Sequence, residues 1–435
     1  MKKMSVVLFV LVVLLWLTGC TQTERVPVEK VDFKNVTVGT PVYPEGVGVE
    51  DFDGKQAIWD TNIVEDEFYE ALDQFAYKTA AQVLSESDEN QLYSPISLYL
   101  ATALATVGAE GETQKELLDL LGVDDSEVLA RQCGNFYRLL YTDNEIAQLK
   151  IANSLWLDKK TSDGDIQFND TYLNVAKNDF YASVYDVDFS NPDTGLLMGQ
   201  WIAEQTNGTL SYKFEPNEAQ IMSILNTIYF YDEWTDGFNT EKTEEDQFHL
   251  ANGDTVNCDF MNADFGSHGF EKGEGYMRSS LGLKEAGRMT FILPDQDVSI
   301  QDLLATPERI QSIFTEGDHQ TGQVIWQIPK FTYGSSMDLV ETMKVLGVNC
   351  AFEADADFSK MVEGSAFISG IQQNTHIGID ENGVEASAYT EITYCGACPP
   401  EGKVEMILDR PFIFAIKSQY GDLLFIGVCM NPSQV

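Results

Sequence analysis

The stretch that most narrows the choice of fold lies near the C-terminus, Glu381-Asn-Gly-Val-Glu-Ala-Ser-Ala-Tyr-Thr-Glu-Ile-Thr-Tyr-Cys-Gly-Ala-Cys-Pro-Pro400. Gly383 permits a loose entry. Pro399 and Pro400 have no backbone N–H to donate, so a central strand must end before them. In between, side chains alternate with a period of two. Val384, Ala386, Ala388, Thr390 and Ile392 make one face, small or β-branched and uncharged. Glu385, Ser387, Tyr389, Glu391 and Thr393 make the other, mostly polar. This alternation predicts a strand with one buried and one wet face. The small side chains imply that the buried face comes close against something already packed.

The body of the chain can supply that packing. It is 44% hydrophobic and 22% charged, which supports a sizeable core. Apolar residues recur at helical spacing from Glu65 to Leu84. A second helix is expected over 95–107, entered through Ser94-Pro95, an N-cap followed by proline in the first turn. A third covers 112–121, and Trp201–Gln205 reads as helix up to Thr206-Asn207-Gly208. Asn153–Leu157 is a short β-type run. Ile221–Tyr231 is long, apolar and β-branched, as in a strand buried on both faces. Further strands are expected within 246–293, at 324–331, 404–408, 412–416 and 423–428, with a helix over 338–346 closed by Gly347. Helices early and strands late make one mixed α+β domain over 63–435.

Charge and motifs exclude several function classes. Asp+Glu number 69 and Lys+Arg 27, a net charge of −42. Such a field repels nucleic acid and speeds encounters with basic proteins. No Gly-x-Ser-x-Gly or His-Glu-x-x-His occurs, and His249, His268, His319 and His376 have no nucleophile setting, so the chain does not read as an enzyme. Nothing in the sequence calls for a cofactor or a metal. The cysteines have no zinc-site spacing, and Gly46-Val-Gly48 belongs to no Walker-type loop.

The N-terminus reads as a targeting segment. Lys2 and Lys3 precede an apolar run from Ser5 to Leu17, too short for an ordinary membrane span. Leu17-Thr18-Gly19-Cys20 resembles the lipobox of bacterial lipoproteins. That resemblance implies a signal peptide over 1–19 and a lipid on the Cys20 thiol. It also implies a chain held at the extracellular face of a bacterial membrane through its anchor alone; a plain secretory signal with an incidental Cys20, and a secreted chain, is the alternative. Residues 20–62, poor in apolar runs, read as a tether.

In combination and in order, the body's motifs resemble the serpin family of protease inhibitors, over roughly residues 63–435. The motifs are Ser94-Pro-Ile-Ser97 with Leu104 and Gly108-Ala109, then Ala152-Asn-Ser-Leu-Trp156, and Trp201 with Thr206-Asn-Gly208. Leu225-Asn-Thr-Ile-Tyr-Phe230 with Trp234, Ile328-Pro-Lys-Phe331, and Leu346-Gly-Val348 with Ala351-Phe352 follow. The closing block, Arg410-Pro-Phe-Ile-Phe414, Leu424-Phe-Ile-Gly427 and Asn431-Pro432, is the strongest. The resemblance implies three β-sheets, about nine helices and an exposed reactive-centre loop. It also implies a monomer that traps a target serine protease as a covalent complex. A protease attacks one bond of the loop and forms its acyl-enzyme. The cut loop then enters the main sheet as a new strand before water can release the protease.

By the same resemblance the opening stretch is that loop. Glu381, Gly383, Val384, Ala386, Ala388 and Thr390 are its hinge, free of proline and, on the face to be buried, of charge. Counting along the loop from Glu381 as the family does places the cleaved bond at Ala397–Cys398, just before the prolines; Tyr394–Cys395 is the second choice. No Lys or Arg lies between Lys360 and Lys403, which argues against trypsin-like targets. A small residue such as Ala397 suits an elastase-like enzyme, and the acidic body a cationic one. Papain-like or subtilisin-like targets, and a non-inhibitory binding role, are the alternatives. Ser94, Ser97 and Asn226 match the family's polar shutter, with Gln373 at the place of its usual histidine, and Trp234 matches the breach where the loop first enters. Cys395 and Cys398 read either as two unrelated loop thiols or as a redox pair gating the loop.

Overall fold

The structure is a computed structural model; it describes residues 32–161, 164–165, 167–210, 212–384 and 403–434. One eight-stranded sheet dominates. Its strands are β1 (Thr37–Gly39), β2 (Ala147–Asp158), β3 (Ala182–Val187), β4 (Met222–Glu233), β5 (Phe331–Asp338), β6 (Ile368–Ile379) and β7 (Gly383–Val384), ordered β1-β3-β2-β4-β7-β6-β5, with Thr142–Asp143 added beside β2. A second path of eight strands runs from Lys403–Ile407 to Gln91–Tyr93, with Glu244–His249 paired beside its long strand as the ninth. A register shift between Phe265 and His268 in its long strand marks the junction of a smaller and a larger sheet. Among the described residues the fold therefore has three main sheets, beside two two-stranded ribbons, and ten α-helices, nine of them after residue 62.

Local rules account for the elements nearest the site. β4 runs Met-Ser-Ile-Leu-Asn-Thr-Ile-Tyr-Phe-Tyr-Asp-Glu and its first seven residues are all buried, so it must be central. The helix Asp66–Leu84 is amphipathic and buries Phe68, Leu72, Phe75 and Ala80. The helix Pro95–Thr106 is buried on every side. Its N-cap, Ser94, accepts from the Ser97 N–H, and Pro95 fills the first helical position. This fully buried helix lies behind β4 and positions Ser94 and Ser97.

One expectation is corrected. Residues 33–61, read as part of a tether, are structured and packed on the body. β1 pairs antiparallel with β3, Thr37 opposite Tyr185. The Tyr43 ring stacks at 6.2 Å on Tyr141 and on Tyr181, with the Lys150 ammonium 4.0 Å from its centroid. A ten-residue helix, α1 (Phe52–Thr61), follows; Asp51 caps it by accepting from the Gly54 N–H. The sequence hides this segment for a physical reason. β1 attaches through backbone hydrogen bonds, and α1 has no buried residue, so neither leaves an apolar pattern. Other elements are longer than expected. Trp201–Gln205 is the end of a helix that starts at Pro192, and Asn153–Leu157 lies in the second half of β2.

Candidate functional site

The site is the seam between β4 and β6. These strands pair directly and in parallel, Met222–Thr227 against Ile368–Asn374. Beyond Thr227 that ladder ends, and β7 enters instead. Val384 pairs antiparallel with Asp232 on one side and with Ile379 on the other, and Gly383 lies opposite Glu233. The seam is thus closed at one end and wedged at the other. A tight turn makes the wedge. Asp380 accepts from the Asn382 N–H (2.8 Å), and its own N–H donates to the Gly383 carbonyl (3.1 Å). The Phe230 ring meets Phe425 of another sheet, so the even-numbered side chains of β4 point into the body. Val384, opposite Asp232, shares that face and is buried.

At the closed end a polar network lies where apolar packing would be expected. Ser94 and Gln373 exchange bonds, Ser94 N–H to Gln373 Oε1 (2.9 Å) and Gln373 Nε2 to the Ser94 carbonyl (2.8 Å). Ser94 Oγ donates to the Leu424 carbonyl (2.7 Å). Ser97 Oγ donates to Asn226 Oδ1, and Asn226 Nδ2 donates to Asn153 Oδ1 (2.7 Å). All five side chains are almost completely buried. Helix, β2, β4 and β6 are tied together across the seam, so parting β4 from β6 must rearrange these bonds. The four residues expected here, Ser94, Ser97, Asn226 and Gln373, do come together, and the amide of Gln373 supplies both a donor and an acceptor. His376, three residues further on, pairs opposite Gly334 instead. Asn153 was not anticipated; a lone amide inside the apolar run Ile151-Ala-Asn-Ser-Leu-Trp-Leu157 was the signal available.

The wedged end is built around Trp234. Its indole N–H donates to the Asp380 carbonyl (2.9 Å), its backbone N–H to the Asn382 carbonyl (2.9 Å), and its ring packs on Phe238. Glu381 is also held. Lys330 Nζ lies 2.9 Å from Glu381 Oε2, and Thr243 Oγ1 donates to Oε1 (2.7 Å). Burial pushes this carboxyl upward, but the bonds from Lys330 and Thr243 outweigh it and hold it below the usual glutamate value.

Asp232 behaves in the opposite way. Its side chain is fully buried, and one oxygen accepts from the N–H groups of Glu285 (3.2 Å) and Ala286 (2.7 Å) while the other has no partner. Burial pushes its carboxyl up to about 7, against the pull of those N–H groups and with the charge of Glu285 adding to the rise. The neighbouring Glu233 is paired with Lys284 at 2.6 Å. Asp232, Lys330 and Thr243 lie far apart in the chain, and no local pattern links them to the hinge. Ala386, Ala388, Thr390, Cys395, Ala397, Cys398 and Cys20 lie outside the described residues.

The family model described as Serpin (serine protease inhibitor) matches residues 70–432. Serpin-Z2B of Triticum aestivum is 27% identical, the match covering 82% of this chain and 94% of that protein. Neuroserpin of Homo sapiens is also 27% identical, over 79% of this chain and 87% of its own length. Among solved structures, the thermophilic serpin tengpin in its native state superposes with a TM-score of 0.76 at 26% identity, covering 85% of this chain and 95% of its own. Serpin48 of the insect Tenebrio molitor gives 0.74 at 28%, covering 85% and 99%.

Proposed function

This chain belongs to the serpin family, whose members are generally serine protease inhibitors, and from that premise we propose that it is itself a suicide inhibitor of elastase-like enzymes. A target protease attacks the Ala397 carbonyl and becomes acylated as the bond to Cys398 breaks. The freed strand then runs down the seam between β4 and β6 and carries the protease with it.

The observation that carries this reading is the wedge. Val384 already sits between β4 and β6 with its side chain inward. Continued in the same register, Ala386 would meet Phe230 and Ala388 would meet Ile228. Thr390 would arrive between Asn226 and Gln373, in the polar network. Each inward position thus receives a small, uncharged side chain, and the one hydroxyl arrives where partners exist. The polar residues of the stretch, Glu385, Ser387 and Glu391, fall on the opposite face. The gain is a full set of strand pairings where β4 and β6 now share one ladder, which favours the inserted state once the loop is free to move.

Target choice rests on Ala397 and on charge. A methyl side chain suits a shallow apolar pocket, and a net charge of −42 favours a cationic protease. We place the chain at the extracellular face of a bacterial membrane, anchored through Cys20. One gel tests the inhibitory reading: mix with elastase, subtilisin, trypsin and a papain-like enzyme. An SDS-resistant complex with elastase is expected, with the released peptide beginning at Cys398 by mass spectrometry. Cleavage by all four enzymes without any such complex would sink it.

A further inference from the structure

The segment that was expected to be a tether spans two parts of the molecule that the proposed mechanism must move. At its start, β1 adds to the outer edge of the main sheet, on β3. Tyr43 then enters a stack of tyrosines: Tyr137 and Tyr141 lie 6.2 Å apart, and Tyr137 and Tyr181 4.2 Å apart. Gly46 passes so close to the Asp143 carbonyl that a Cβ there would lie 1.9 Å from its oxygen. At its end, α1 reaches residues outside the main sheet. Lys55 Nζ lies 2.7 Å from Glu285 Oε2, and the Trp59 ring stacks on Tyr420 at 5.0 Å. Asn144 ties the middle together, donating to the Val47 carbonyl and to Glu285 (both 3.3 Å).

Glu285 is not an arbitrary anchor. It belongs to the turn 283–287, which grips the wedged end of β4. That turn gives Asp232 two N–H donors, pairs Lys284 with Glu233, and bridges Leu283 to Trp234. The segment therefore joins the outer edge of the main sheet to the turn that holds the end of β4. The β1-β3-β2-β4 half of the sheet is braced at both sides.

We propose that residues 33–61 form a brace that slows the parting of β4 from β6, and so sets how readily a loop strand can enter. This rests on the insertion reading above. The brace is docked lightly. No residue of α1 is buried, Phe52 is 74% exposed, and a cavity of about 360 Å³ lined by Val47, Phe52, Trp59, Arg138 and Tyr420 lies beneath it. Contacts this few place the helix among the elements that open first. It can therefore be released without unfolding the body.

Hydrogen exchange on the full chain tests the brace without any protease. Two independent variants release it, Gly46→Val by steric displacement and the double variant K55M/W59A by removing the docking contacts. Amides of 222–227 and 368–374 are expected to exchange about tenfold faster in both. Those of 324–328, a strand paired on both sides away from the brace, should stay unchanged. Equal exchange across the β4–β6 seam in variants and parent would overturn the proposal. So would a uniform rise that includes 324–328, since that reports general destabilisation. Failure to form a protease complex would count against the inhibitor reading and leave this result standing, so the two can fail separately.

Discussion

The two ends of one seam differ in the polar groups they bury, a neutral network at one and a carboxyl at the other. At the closed end, Ser94, Ser97, Asn153, Asn226 and Gln373 form a buried network in which donors and acceptors are matched, while the neighbouring buried Asn374 leaves its Nδ2 without a partner. At the wedged end, a buried carboxyl at Asp232 keeps one oxygen without a partner, beside the point where β7 enters. A matched network resists rearrangement, because each broken bond strands a buried group. An unmatched carboxyl does the reverse and leaves the local structure less stable than it could be. On the insertion proposed above, a strand would enter at the end with least to lose.

The largest effect is expected from a charge on the inward face. Ala388→Arg would set a guanidinium against Ile228, at a cost of about 3–5 kcal/mol for an unpaired buried charge. The loop should still be cut, but no SDS-resistant complex should form, a result read directly from gels. At the closed end, Asn226→Ala strands the Ser97 hydroxyl and the Asn153 amide oxygen. A loss of about 2–3 kcal/mol in urea unfolding is expected. A loss below about 0.5 kcal/mol would show that the network contributes nothing there.

The two carboxyls of the wedged end give opposite pH dependences. The Asp232 value is raised to about 7 in the folded chain from an ordinary 3.8, so its contribution is fully present below the lower value and is lost as pH rises through the upper one. Stability should fall by about 1.4 kcal/mol between pH 6 and pH 8 from this group, and Asp232→Asn should flatten that slope. Glu381 is shifted downward, so its contribution is present above the ordinary glutamate value and lost as pH falls. Lys330→Met should therefore cost about 1 kcal/mol at neutral pH, and the difference from the parent should vanish in acid. Denaturant midpoints across the pH range check both. Slopes of the same sign for the two variants would contradict the assignment.

Much of this was legible in the sequence, and the limits have physical causes. The helix Asp66–Leu84 and the strand Met222–Glu233 announce themselves by apolar periodicity or by a continuous apolar run. Ser94, Ser97, Asn226 and Gln373 could be assembled because polar residues inside apolar elements stand out, and because the order of motifs resembles one family. Lys330, Thr243 and Asp232 could not, since their meaning depends on strands that meet only in three dimensions. The brace was invisible for another reason. Its strand holds by backbone bonds and its helix by an ion pair and one stacked ring, and neither leaves a hydrophobic pattern.

On the proposed mechanism the cut loop becomes a strand between β4 and β6. The most direct measurement is thermal unfolding before and after a single cleavage within 394–398, with the two fragments kept together. Insertion adds paired strand along the whole seam, so the account predicts that the unfolding midpoint rises by tens of degrees on cleavage. A midpoint that stays the same or falls would contradict it.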